Sequence, residues 1–238
     1  MKLAITDSRI SEACELGLVG RGFRVIKLPP SKRLPSPMAS HPDMLMFSAE
    51  GSIITSADYC DEADYIFSDI SCFSSNIKIS FTEAFVRAEY PYDCIFNALV
   101  IGRRIFCKTD TVSPKILQFA REKGYKVIHV NQGYPACVTL ALSDKYAITA
   151  DRGMAEALSA EGISVTLIEN GDISLPPYEY GFIGGACGVF GNTVYFLGDP
   201  KRHRSYNAII STIKNAGMSY IALSREALCD LGRIIFIE

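Results

Sequence analysis

The chain lacks the marks of several large protein classes. No apolar run approaches the ~20 residues that cross a bilayer, and the start, MKLAITDSRI, has no long apolar segment of the kind a secretory leader carries. There is no excess charge of one sign. Lys and Arg number 24 against 26 Asp and Glu, for a net −2, so no basic stripe points to nucleic acid. No two of the eight cysteines form a CxxC pair. A chain of 238 residues, 48% hydrophobic, holds enough apolar mass for a core without disulfide staples. The same balance excludes disorder, collagen and coiled coil. A P-loop is missing, and neither Gly20-Arg21-Gly22 nor Gly184 to Gly191 has the strand-then-helix setting of a dinucleotide fingerprint. The expectation is a cytoplasmic protein with reduced thiols. It has no membrane or nucleic-acid partner, no cofactor and no metal.

What is present is a repeat. Five apolar, strand-like runs end in aspartate, at Asp7, Asp58, Asp110, Asp151 and Asp199, in steps of 51, 52, 41 and 48 residues. The return from Asp199 through the C-terminus to Asp7 takes another 46. Before four of them lie two apolar runs joined by a turn: Glu50-Gly51, Gly102-Arg103, Ser143-Asp144-Lys145 and Gly191-Asn192. These are hairpin signals. After most comes a helical pattern that stops at a glycine, over Ile10 to Val19, from Ser113-Pro114 onward, Arg152 to Glu161 and Ser205 to Ala216. Ser before Pro opens a helix well. A strand follows each of Gly22, Gly124, Gly162 and Gly217. The unit is therefore hairpin, helix, strand. The second unit lacks the helix-ending glycine, and its third strand is expected over 76–81.

The first unit lacks the front half of its hairpin, while the chain ends in an unpaired strand over Leu231 to Glu238. The economical solution pairs this last strand with the first and removes two exposed sheet edges. The expected fold class is α/β, with five ββαβ units in a pseudo-fivefold propeller closed by the terminal strands. It forms one domain, with units at about 229–238 plus 1–30, 41–92, 93–133, 134–175 and 182–228.

Two short stretches carry candidate chemistry. His41-Pro42-Asp43 follows a proline-rich loop and leads into an apolar run. A histidine there can shuttle protons near neutral pH, and the chain has only three. Gly184-Gly185-Ala186-Cys187-Gly188 opens the fifth unit. Glycines let backbone approach a ligand closely, and nearby N–H groups can stabilise a thiolate.

Five ββαβ units, with these two stretches, resemble the pentein superfamily, which includes the guanidino-group-modifying enzymes and a translation-factor branch. His41-x-Asp43 is similar to that group's His-x-Asp element. Gly184 to Cys187 is similar to its Gly-Gly element before the nucleophilic cysteine, with one residue fewer. Cys137, in Gly133-Tyr134-Pro135-Ala136-Cys137, is the rival nucleophile, because it stands two units past His41, the separation the resemblance implies. Cys187 stands three units past, and on a ring of five the two are equally far. The resemblance implies a cysteine-dependent hydrolase or transferase acting on a guanidinium or amidine, deiminase- or amidinohydrolase-like. In that reading Cys187 or Cys137 attacks the central carbon. His41 protonates the leaving amine and then activates water, and Asp43 and Glu179 hold a small cationic substrate. The alternative is a non-catalytic pentein that binds a small ligand or a protein.

Other features read more plainly. Cys94, Cys137, Cys187 and Cys229 precede the unit-closing aspartates by similar distances, with Asp43 in the second unit's place. This suggests a crowded position for small residues rather than a soft-metal ring. Asp43, Asp93, Asp172 and Glu179 are the carboxylates that offer a fork to a guanidinium. Glu179 lies in a loop rich in Pro and Tyr, suited to a lid or rim. The five unit-closing aspartates are assigned structural roles such as helix capping. Lys201-Arg202-His203-Arg204, the one basic cluster, reads as a solvated turn.

Overall fold

The computed structural model describes residues 2–73 and 77–237. Five three-stranded sheets share one plan, in which a central strand has an antiparallel neighbour on one side and a parallel neighbour on the other. In the first, Lys2–Asp7 lies between Ile235–Ile237 and Phe23–Leu28, with Leu3 opposite Ile237. The second sets Ser52–Ser56 between Met46–Ala49 and Lys78–Thr82. In the third, Arg104–Cys107 lies between Leu99–Ile101 and Lys126–His129. In the fourth, Tyr146–Thr149 lies between Thr139–Ala141 and Ser164–Leu167. The fifth sets Thr193–Phe196 between Cys187–Phe190 and Ser219–Ala222. A small parallel pair, Ile173–Ser174 with Leu228–Cys229, stands outside this plan.

The terminal strands pair as their unpaired hairpin halves demand. Among the described residues, however, each of the five sheets stays a separate open ribbon, and no sheet closes on itself. Three strands per unit satisfy one hairpin and one crossover, and the units meet through side chains and through single backbone bonds such as that from the Ile234 amide to the Cys187 carbonyl at 3.0 Å.

Local chemistry explains the elements. Glu50 and Gly51 both take positive φ, 47° and 68°, the geometry a two-residue hairpin needs to match strand twist. Helix Pro114–Lys123 starts with the Ser113 hydroxyl accepting from the Lys115 amide and ends at Gly124 in the left-handed region. Helix Arg152–Ala160 is capped by Asp151, which accepts from the Met154 amide at 2.7 Å. The other expected helices lie at Glu12–Val19 and Tyr206–Asn215. Between its second and third strands the second unit carries two helices, Ala57–Glu62 and Asp64–Phe73. Its third strand begins at Lys78, and residue 76 of the expected strand lies outside the described residues.

Packing between the units is apolar. Phe23 and Phe236 of the first sheet meet Phe190 and Tyr195 of the fifth, with ring centroids 5.1–5.5 Å apart. Phe96, Phe106 and Phe196 are among the largest fully buried side chains, each worth about 1.5–3 kcal/mol of transfer free energy.

One repeated device positions the site. In the second unit, Thr55 donates its hydroxyl to the Leu45 carbonyl at 2.8 Å. In the fourth, Thr149 does the same to Val138 at 2.8 Å. Each bond ties down a short helix, Pro42–Leu45 or Pro135–Val138, just ahead of its sheet. Proline at the first helical position sets the entry of both.

Candidate functional site

These two anchored helices bring Asp43 and Cys137 together. The Cys137 thiol donates to Asp43 Oδ2 at 2.7 Å. Asn97 Nδ2 donates to the same sulfur at 3.2 Å, while Asn97 Oδ1 accepts from the Ala136 amide at 2.8 Å. Asn97 thus sets both the helix and the thiol. Burial pushes the Cys137 thiol well above its ordinary value, and the Asp43 charge pushes it further in the same direction. At rest this is a protonated, hydrogen-bonded thiol.

His41 stands just before the helix of Asp43 and is buried, with Nε2 3.8 Å from Asp7 Oδ2. Its Nε2 has no hydrogen-bond partner, which is unusual for a buried polar atom. Gly232, at φ +66°, packs directly on it, and a Cβ there would lie 2.3 Å from His41 Cβ. Asp230, buried two residues earlier, accepts from the amides of Gly232 (3.0 Å) and Phe182 (2.8 Å). Burial raises its carboxyl above the ordinary carboxylate range, partly offset by His41.

A cavity of about 330 Å³ opens over this group. His41, Cys137, Glu179 and Asp230 line it, with Met38, Met44, Tyr134 and Phe182 among its walls. Glu179 stands at its exposed rim on the loop that follows Ile173–Ser174. Tyr134 is held by its hydroxyl, which donates to Asp93 at 2.5 Å. The structure therefore brings His41, Cys137 and Glu179 to one cavity, with Asp43 behind the thiol. Asp230 and Asn97 were missed in the sequence. Their signal is a polar residue within an apolar stretch, which a single chain shows only weakly.

Cys187 lies elsewhere. Its thiol donates to the Ile183 carbonyl at 3.1 Å, burial pushes it up to about 12, and it does not line the cavity. The glycines ahead of it serve Cys137 and Asp230 instead. The Gly185 amide donates to the Cys137 carbonyl at 3.0 Å. A Cβ on Gly184 would meet the Ala136 carbonyl at 2.3 Å, and one on Gly185 would meet Asp230 Oδ1 at 1.9 Å.

The four cysteines do not share a repeat position. Cys187 sits within its strand opposite Phe196, whereas Cys137 lies two residues ahead of the corresponding strand. Cys94 donates to the Pro91 carbonyl at 3.0 Å. Among the described residues no three His, Cys, Asp or Glu side chains converge on one metal position. Asp172 is engaged by Arg204, with Nε to Oδ2 at 2.8 Å. Arg204 is thus a clamp on the rim loop rather than part of a free basic turn. Asp7 also departs from plain capping: it is fully buried, salt-bridged to Arg9 at 2.6 Å and close to His41.

Five three-stranded sheets of one plan are the pentein fold. Solved structures carry the likeness. A citrulline complex of a DDAH mutant from Pseudomonas aeruginosa aligns at TM-score 0.57 and 12% identity, covering 94% of this chain and 91% of that one. The inosamine-phosphate amidinotransferase of Streptomyces griseus aligns at 0.55 and 15%, covering 88% and 72%. The agmatine deiminase of C. jejuni aligns at 0.52 and 7%, covering 87% and 71%. No curated protein matches the sequence. The chain belongs to DUF6873, a family of unknown function whose model matches residues 5–235. No described helix is long and apolar enough to cross a membrane.

Proposed function

We propose that the protein is a cysteine-dependent hydrolase or transferase of guanidinium or amidine groups, with Cys137 as nucleophile. The observation that carries this reading is the convergence of Cys137, His41, Asp230 and Glu179 on one cavity. A bound cation stabilises a thiolate and lowers the barrier to its formation. The thiol proton then passes to Asp43 Oδ2, already 2.7 Å away. The sulfur attacks the central carbon, and the C–N bond breaks as His41 gives a proton to the leaving amine. Water, deprotonated by His41, attacks the same carbon. The sulfur leaves and recovers its proton from Asp43. Asp230 and Glu179 attract and orient the cation. In a transferase an acceptor amine replaces water.

In the same reading the five sheets are blades about a pseudo-fivefold axis, in one domain. Adjacency of the hairpin-side strands supports this: Cys187–Phe190 lies beside both Ile235–Ile237 and Thr139–Ala141, and Thr139–Ala141 beside Leu99–Ile101. Eight unpaired cysteines support a reducing, cytoplasmic setting.

A second reading is a non-catalytic pentein that binds a cation. The burial of Cys137, which pushes its thiol well above the ordinary value, favours it. One experiment separates the two. The protein is treated with 2-chloroacetamidine, the modified cysteine is mapped by mass spectrometry, and a guanidine panel is screened for amine or ammonia release. Labelling at Cys137, with release abolished by Cys137→Ser and retained by Cys187→Ser, supports the enzyme. Binding of guanidines without release, unaffected by Cys137→Ser, supports the binding module.

A further inference from the structure

The cavity over Cys137 is acidic and apolar with no basic wall except an imidazole. Its carboxyl and imidazole side chains are Glu179 at the rim, Asp230 at depth, and His41. The rest is hydrocarbon or aromatic, including Met38, Leu175 and Tyr178. No Lys or Arg lines it among the described residues. Arg9 comes near, donating to the Pro37 carbonyl beside Met38, but its guanidinium is committed to Asp7 through two hydrogen bonds of 2.6 and 3.0 Å.

Free amino acids carry a carboxylate that needs a cationic partner when it is desolvated. Here that group would enter beside Glu179 or Asp230 and meet like charge. A guanidinium has the opposite fit. It finds a carboxylate at depth, and its arm finds methionine, leucine and tyrosine surfaces. From this we infer that the pocket takes a guanidine or amidine that carries no carboxylate, and discriminates against α-amino acids. The inference rests on the proposed function for the presence of a guanidinium at the site, and goes beyond it in naming the substrate class.

Protection of Cys137 from iodoacetamide, read by mass spectrometry, tests it with four probes. Arginine and agmatine differ only in the carboxylate, n-butylguanidine lacks the second amine as well, and n-butylurea is its neutral counterpart. Agmatine and n-butylguanidine should protect at concentrations at least about tenfold below arginine, equivalent to about 1.4 kcal/mol, and n-butylurea should not protect at that level. Glu179→Lys, an exposed rim change, should lower the agmatine-to-arginine preference by about tenfold or more. Arginine protecting as well as agmatine, or a preference unmoved by Glu179→Lys, overturns the inference and leaves the proposed chemistry standing. Protection by none of the cations overturns both. Turnover that survives Cys137→Ser, with the preference intact in the parent protein, overturns the proposed nucleophile alone.

Discussion

Asp43→Asn should make Cys137 more reactive. The thiol and carboxylate lie 2.7 Å apart, so a thiolate would face a second negative charge across a short gap. At an effective dielectric of about 20, that repulsion has a ceiling of about 6 kcal/mol. One neighbouring charge typically moves a pKa by about 1–3 units, within the ceiling. A fall of about 2 units raises the thiolate fraction near neutral pH about 100-fold, and the accompanying loss of nucleophilicity removes about one power of ten. The net expectation is a tenfold rise in the alkylation rate at pH 7.5. The assay is iodoacetamide labelling mapped by mass spectrometry from pH 6 to 9, with circular dichroism to confirm folding. Cys187, whose thiol is pushed up to about 12 chiefly by burial and has no contact with Asp43, serves as the internal reference and should not accelerate. An unchanged or slower rate at Cys137 in a folded variant refutes control of the thiol by Asp43. Acceleration of both cysteines alike refutes it too, because it signals loosening of the whole core.

Other outcomes follow from single contacts. Gly232→Ala places a methyl 2.3 Å from His41 Cβ at a backbone φ of +66°. It should lower stability by about 1–3 kcal/mol in urea titration and suppress any activity that needs His41. Arg204 holds the Asp172 carboxyl well below the usual carboxylate range. A lowered folded value means that this pair supports the rim loop above about pH 4, and that the support is lost as pH falls through the folded value. Arg204→Ala should therefore speed amide exchange over residues 171–182 at pH 7, and the gap from the parent protein should close as pH drops below 4. Ile5, fully buried in the central strand of the first sheet, should cost about 2–5 kcal/mol when cut to alanine, read as a shift of the urea midpoint with unchanged slope.

The repeat was legible because it is written in local signals. Apolar runs, hairpin turns such as Glu50-Gly51, the cap at Ser113-Pro114 and the stop at Gly124 act over a few residues each. Their periodic return foretold five hairpin-and-crossover units and the pairing of the last strand with the first. Local signals do not report that the sheets stay separate, since that depends on contacts across units, as where Phe23 of the first sheet meets Phe190 of the fifth.

The two glycines before Cys187 show where sequence reading misassigns a role. Read alone, they mark a nucleophile loop. In the fold their missing side chains make room for the Ala136 carbonyl and for Asp230, residues 48 and 45 positions away in the chain. The chain by itself determined the unit, its count, and the candidates His41, Asp43, Cys137 and Glu179, because propensity, turn chemistry and residue type are local properties. Only the tertiary structure decided that Cys137 and not Cys187 faces the cavity with His41, that Asp43 holds the thiol, and that Asp230 and Asn97 complete the group. Those relations join residues tens of positions apart, and their energies come from burial and from distances of about 3 Å that exist only after the units have packed.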